Sequence, residues 1–173
     1  NIKLITHQTD IPITEKVFKT KPDCISEWYS INVDFDHKNL IPIPLGLANY
    51  YSPKNAFKEN FQKFNINKNP ELKLYMNYKI NTNSKERQKL KSIFENNDWV
   101  IFKEPNNDLE AYINDLNNHK FILSPWGNGY DTHRFWETLY SGSVPVTKYH
   151  ITYSSSTGLP VLFVKDYKNL TND

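Results

Sequence analysis

Short apolar runs rich in Ile, Leu, Val and aromatic residues recur along the chain, and in its second half they alternate with stretches of helical periodicity. The runs lie near Lys3 to Thr6, Cys24 to Ser30, Leu40 to Pro44, Leu72 to Asn77, Trp99 to Lys103, Phe121 to Ser124, Val144 to Thr147 and Val161 to Val164. Between the later runs, Ser84 to Asn96 sets Leu90, Ile93 and Phe94 at helical spacing behind a Thr82/Asn83/Ser84 capping cluster. Asp108 to Asn118 does the same with Leu109, Tyr112, Ile113 and Leu116. Residues 71–173 therefore read βαβαβαβ, which predicts an α/β fold: a Rossmann-like parallel sheet with helices on both faces. Residues 51–70, rich in Asn, Lys and Pro and without clear periodicity, read as a connecting segment. Residues 1–50 are too few to form a full domain by themselves.

Composition narrows the functional classes. The 173 residues suit one ordinary domain or slightly more. Aromatic residues make up 14% and charged residues 23%, a balance that excludes a disordered chain. The mean hydropathy is −0.68 and no apolar run approaches the ~18 residues of a membrane span. With a formal net charge of +2, the chain lacks the concentrated basic field of a nucleic-acid binder, so nucleic acid is not an expected partner. Cys24 is alone, which leaves neither an internal disulfide nor a zinc site. The chain begins at Asn1 with no signal-like segment and reads as part of a longer protein whose targeting is not legible.

Only two of the basic residues are arginines, Arg87 and Arg134. Arginine carries a rigid fork that grips phosphate or carboxylate at two points, so its two positions are informative in a chain that otherwise uses Lys. Arg134 falls in the most information-rich stretch, Phe121 to Val146: an apolar strand, a turn with Gly127 and Gly129, a helix, and another strand. Asp131 or Thr132 is placed to cap that helix, with Arg134 in its first turn, where unpaired backbone N–H groups favour an anion. Glu137, three residues on, would then face sugar hydroxyls. Each residue also has a plainer reading. Arg134 and Glu137 at i,i+3 would make a surface ion pair, Gly127 and Gly129 a simple turn, and His133 a polar surface or capping residue.

The order of residues in Phe121-Ile-Leu-Ser-Pro-Trp-Gly-Asn-Gly-Tyr-Asp-Thr-His-Arg-Phe-Trp-Glu, followed by Gly142-Ser-Val-Pro-Val, resembles the C-terminal donor-binding half of exostosin-like glycosyltransferases of GT-B architecture. The likeness covers about the last third of the chain. It implies that Arg134 meets a diphosphate, that Glu137 meets a ribose, and that the loop Gly127, Asn128, Gly129 to Asp131, with His133 beside it, contacts the donor. Ile41-Pro-Ile-Pro-Leu-Gly46 looks like the turn that closes the first half of such enzymes, so residues 1–50 resemble the end of an acceptor half. By the same likeness Asn77, Thr82 and Asn83 would face phosphates, although an Asn-rich cap and turn explains them equally. Arg87 on the next helix is a further substrate-binding candidate, with solvent exposure the first expectation.

The resemblance implies transfer of a sugar from a nucleotide-diphosphate sugar to a carbohydrate or glycoprotein acceptor, with no cofactor required. A larger enzyme of this kind would be cytoplasmic or Golgi-like. Transfer needs a base for the acceptor hydroxyl, and His7 and Asp10, after the first apolar run, are the candidates. Two alternatives stand beside this reading. Asp34-Phe-Asp36 is the Asp-x-Asp pattern that holds a metal-bound donor in GT-A enzymes, and the chain would also serve as a nucleotide-sugar or glycan-binding module without turnover.

Overall fold

The computed structural model describes residues 1–49, 56–63, 65–105 and 108–172. Within them the expected alternation becomes two all-parallel sheets. The first has three strands in the order β1 (Ile2–Thr6), β2 (Ile25–Ser30) and β3 (Leu40–Pro42). The second has five, β4 (Glu71–Met76), β5 (Val100–Phe102), β6 (His119–Leu123), β7 (Val144–Lys148) and β8 (Leu162–Val164), ordered β5-β4-β6-β7-β8. The chain is thus an α/β protein of Rossmann-like type. Among the described residues, no helix is long and apolar enough to cross a membrane.

Among the described residues five α-helices accompany the strands: α1 (Glu15–Phe18), α2 (Lys58–Phe61), α3 (Ser84–Phe94), α4 (Leu109–Asn118) and α5 (His133–Tyr140). Alternation along β4 explains how both faces of the larger sheet are covered. Leu74 and Met76 point to one face and join Leu90 and Phe94 of α3 with Val100 and Leu123. Tyr75 points to the other and packs with Leu116 of α4 and Ile122. The smaller sheet has its own cluster, in which Phe18 of α1 meets Trp28, Val33 and Leu40. Phe135 and Trp136 of α5, with Tyr153, receive Leu45 and Leu47 from the chain after β3, and this contact joins the two sheets.

The short helix α2 was not expected. It lies in the predicted connecting segment, of which residues 51–55 and 64 are outside the described residues; Phe61 packs beside Tyr75 and Leu116. Four residues are too few to show a period, so tertiary packing rather than propensity holds α2 in place.

The larger sheet has a topological switch point. From β4 the chain steps outward to β5, then returns past β4 to β6 and continues to β7 and β8. Open α/β sheets bind ligands outside the carboxyl ends of the strands where this reversal occurs, here β4 and β6.

Candidate functional site

A cleft of about 1030 Å³ opens at that place. Loops after β1 (Gln8, Thr9, Asp10), β4 (Asn77, Lys79, Thr82), β5 (Pro105, Asp108) and β6 (Gly127, Asn128, Gly129) line it, together with Tyr112 of α4 and the first turns of α5. The strand-loop-helix stretch singled out in the sequence therefore forms one wall of this cleft, and the loop after β1 faces it.

Arg134 is the second residue of α5. Its Nη1 is buried and has no hydrogen-bond partner among the described residues, and the guanidinium carbon lies 5.1 Å from the centre of the Tyr112 ring. Thr132 is the N-cap, yet its hydroxyl makes no capping bond and its Oγ1 is likewise buried without a partner. The helix start thus sets its dipole and two donors without partners among the described residues in the wall of the cleft. The ion pair open to Arg134 and Glu137 does not form. Glu137, almost fully buried, accepts instead from the Tyr112 hydroxyl at 2.7 Å and from the Ala56 N–H at 3.3 Å. Each carboxylate oxygen keeps a second acceptor position.

Arg87 overturns its expected exposure: it is 7% exposed. Its fork donates to the carbonyls of Trp126 at 3.0 Å, Lys79 at 2.7 Å and Pro125 at 3.3 Å, and to the Thr82 hydroxyl. These acceptors belong to the loops after β4 and β6, so Arg87 clamps the two loops flanking the switch point. Thr82 is consumed in that clamp. Burial, and secondarily the nearby charge of Arg134, lower the Arg87 pKa to about 10. Two guanidinium groups close enough to repel one another make a region that gains from a bound anion.

The loop after β6 is held against the smaller sheet. Asp131, expected at the helix cap or on the donor, lines the cleft and takes the Leu45 N–H on Oδ2 at 2.7 Å and the Trp136 indole N–H on Oδ1 at 2.8 Å. Its own N–H donates to Asn32 Oδ1 at 3.0 Å, and Asn32 Nδ2 donates to the Thr9 carbonyl at 3.0 Å. Burial raises the Asp131 pKa to about 6 against the opposing pull of these bonds. His133 donates from Nδ1 to the Gly46 carbonyl at 2.8 Å while still lining the cleft. A Cβ on Gly129 would lie 2.6 Å from Asn32 Nδ2, so only glycine lets this loop lie on Asn32.

The remaining candidates divide. Asp10 lines the cleft and accepts from Asn128 Nδ2 at 3.3 Å, whereas His7 lies outside it, with Nε2 3.1 Å from the Pro44 carbonyl. Asn77 lines the cleft and donates to the Tyr75 hydroxyl at 3.0 Å. Asn83 is not among the lining residues and spends its amide on Glu86 at 3.2 Å. Asp34 and Asp36 are also absent from the lining, and Asp34 Oδ1 sits 3.1 Å from His150 Nε2. Among the described residues no group of three or more His, Cys, Asp or Glu side chains is placed to hold a metal ion.

Sequence reasoning passed over Asn32 and assigned Tyr112 only to the sheet-covering face. Asn32 carries φ 51°, a conformation that Asn tolerates better than most residues, but the sequence shows no local sign of it. Fold and cleft together define an α/β protein with an arginine-bearing cleft at the carboxyl ends of its strands. No model of a known protein family matches the chain, and no curated protein sequence matches it.

Proposed function

We propose that this chain binds a nucleotide-diphosphate sugar in the cleft and acts as a glycosyltransferase, in keeping with the likeness of its last third to exostosin-like enzymes. The observation that carries the reading is the buried Nη1 of Arg134 in the first turn of α5, which, like the hydroxyl of the N-cap Thr132, has no partner among the described residues. A diphosphate supplies the charge and the acceptors this point lacks. As the sugar–phosphate bond breaks, negative charge grows on the departing diphosphate, and Arg134 with the helix terminus stabilises it. Glu137 takes ribose hydroxyls on its free acceptor positions. Asp10, across the cleft, is the base that removes the proton of the carbohydrate or protein acceptor. Arg87, which also lines the cleft, holds the two loops in place.

The position of His7 outside the cleft favours a second reading, a binding module without turnover, since it leaves Asp10 as the one sequence-predicted base that reaches the site. Titration of the wild-type chain and Arg134→Ala with UDP, GDP and their sugar conjugates tests binding. The wild type binds at least one nucleoside diphosphate, and the variant weakens it by at least about tenfold, since hydrogen bonds to charged groups are worth about 1.5–3 kcal/mol. Equal affinity in the two proteins refutes the assignment. Slow release of free sugar from the bound donor then separates enzyme from binding module.

A further inference from the structure

Tyr112 touches both of the residues on which the proposed site depends. It projects from α4, a different element from α5, and its hydroxyl donates to Glu137 Oε2 at 2.7 Å while its ring lies 5.1 Å beneath the guanidinium carbon of Arg134. Two neighbouring positions on α5 are thus aimed by one side chain through two different forces. The hydroxyl holds a carboxylate by a directional hydrogen bond, and the ring face holds a cation by its quadrupole. Among the described residues, Glu137 without Tyr112 keeps only the longer bond from the Ala56 N–H, and Arg134 keeps no other contact of this kind. Burial pushes the Tyr112 phenol well above its ordinary pKa, so the proton stays on the hydroxyl and the bond to Glu137 keeps its direction.

We infer that Tyr112 is a positioning residue that aligns a ribose-binding carboxylate and a diphosphate-binding guanidinium, and so makes the cleft select nucleoside diphosphates over inorganic pyrophosphate. The inference rests on the reading of Arg134 and Glu137 given above. The two forces separate chemically. Tyr112→Phe keeps the ring under Arg134 and removes only the bond to Glu137, whereas Tyr112→Leu removes both and keeps an apolar side chain in place.

The test is calorimetric titration of wild type, Tyr112→Phe and Tyr112→Leu with UDP, GDP and inorganic pyrophosphate, with thermal melting as the control for folding. Tyr112→Phe is expected to weaken the preferred nucleoside diphosphate about tenfold and to leave pyrophosphate within about twofold, the loss of one hydrogen bond to a charged group. Tyr112→Leu is expected to weaken both. In a Glu137→Ala background, Tyr112→Phe has no further effect on the nucleoside diphosphate, because it acts through Glu137. A Tyr112→Phe protein that loses both probes equally, or neither, overturns the role of Tyr112 while leaving the nucleotide reading in place. A wild-type chain that binds neither probe overturns the nucleotide reading, and the role of Tyr112 falls with it.

Discussion

Gly129→Ala is the substitution whose cost is most directly computable from the seam between the two sheets. The added Cβ would stand 2.6, 2.7 and 2.9 Å from three atoms of the Asn32 amide, well inside ordinary contact. Asn32 is 1% exposed and cannot swing into solvent. To yield, it must give up its bonds to the Thr9 carbonyl and the Asp131 N–H, both at 3.0 Å. A buried polar group left without a partner costs about 1–3 kcal/mol, so two broken bonds cost about 2–6 kcal/mol. The smaller conformational freedom of Ala in the unfolded chain returns about 0.4–1 kcal/mol. The expected net loss is therefore about 3 kcal/mol, read as a lower urea midpoint at unchanged slope. Gly127→Ala meets Arg87 Nη2 at 3.3 Å, a lesser approach, and should cost less. Asn32→Gly removes the obstacle and suits the positive φ, so Gly129→Ala in that background should cost under about 1 kcal/mol. Stability of Gly129→Ala within about 0.5 kcal/mol of wild type, or an equal loss in the Asn32→Gly background, would refute the reasoning.

Two further outcomes follow from the same wall of the cleft. Arg87→Lys keeps the charge but replaces a fork that reaches four oxygens with a single ammonium, and should lower the unfolding free energy by about 3 kcal/mol in urea titration; a loss under about 1 kcal/mol would contradict the clamp. Asp131 has its folded pKa raised from 3.8 to about 6, so its ionised form is the costly one: the stability it contributes is full below pH 3.8 and is lost as pH rises through 6. The stability of wild type relative to Asp131→Asn should accordingly fall by about 3 kcal/mol between pH 3.5 and pH 7, and a pH-independent difference would show that Asp131 is not buried as described.

Much of the architecture was legible because strands and helices leave local periods. The apolar runs at Leu74 to Met76 and Phe121 to Leu123 lie in β4 and β6, and the helical spacing of Leu90 and Phe94 marks α3. The candidate site was legible in its local part, since the Gly-rich turn and Arg134 sit within one strand-loop-helix unit. Its distant part was not. Glu137 meets Ala56 across 81 residues and Arg87 meets Trp126 across 39, and no local pattern encodes either pairing.

The two arginines show where the division falls. Their scarcity in the sequence already set both apart, and residue chemistry alone said that each would seek oxygens. Which oxygens was a tertiary matter. Arg87 lies where the loops after β4 and β6 turn their carbonyls inward, so its donors are satisfied by the protein itself and its place is structural. Arg134 lies in the first turn of α5 with Tyr112 beneath it and Glu137 turned away, so its Nη1 has no protein acceptor within reach among the described residues. A buried donor without a partner is costly, and that cost depends on the whole surrounding fold rather than on neighbours in the chain.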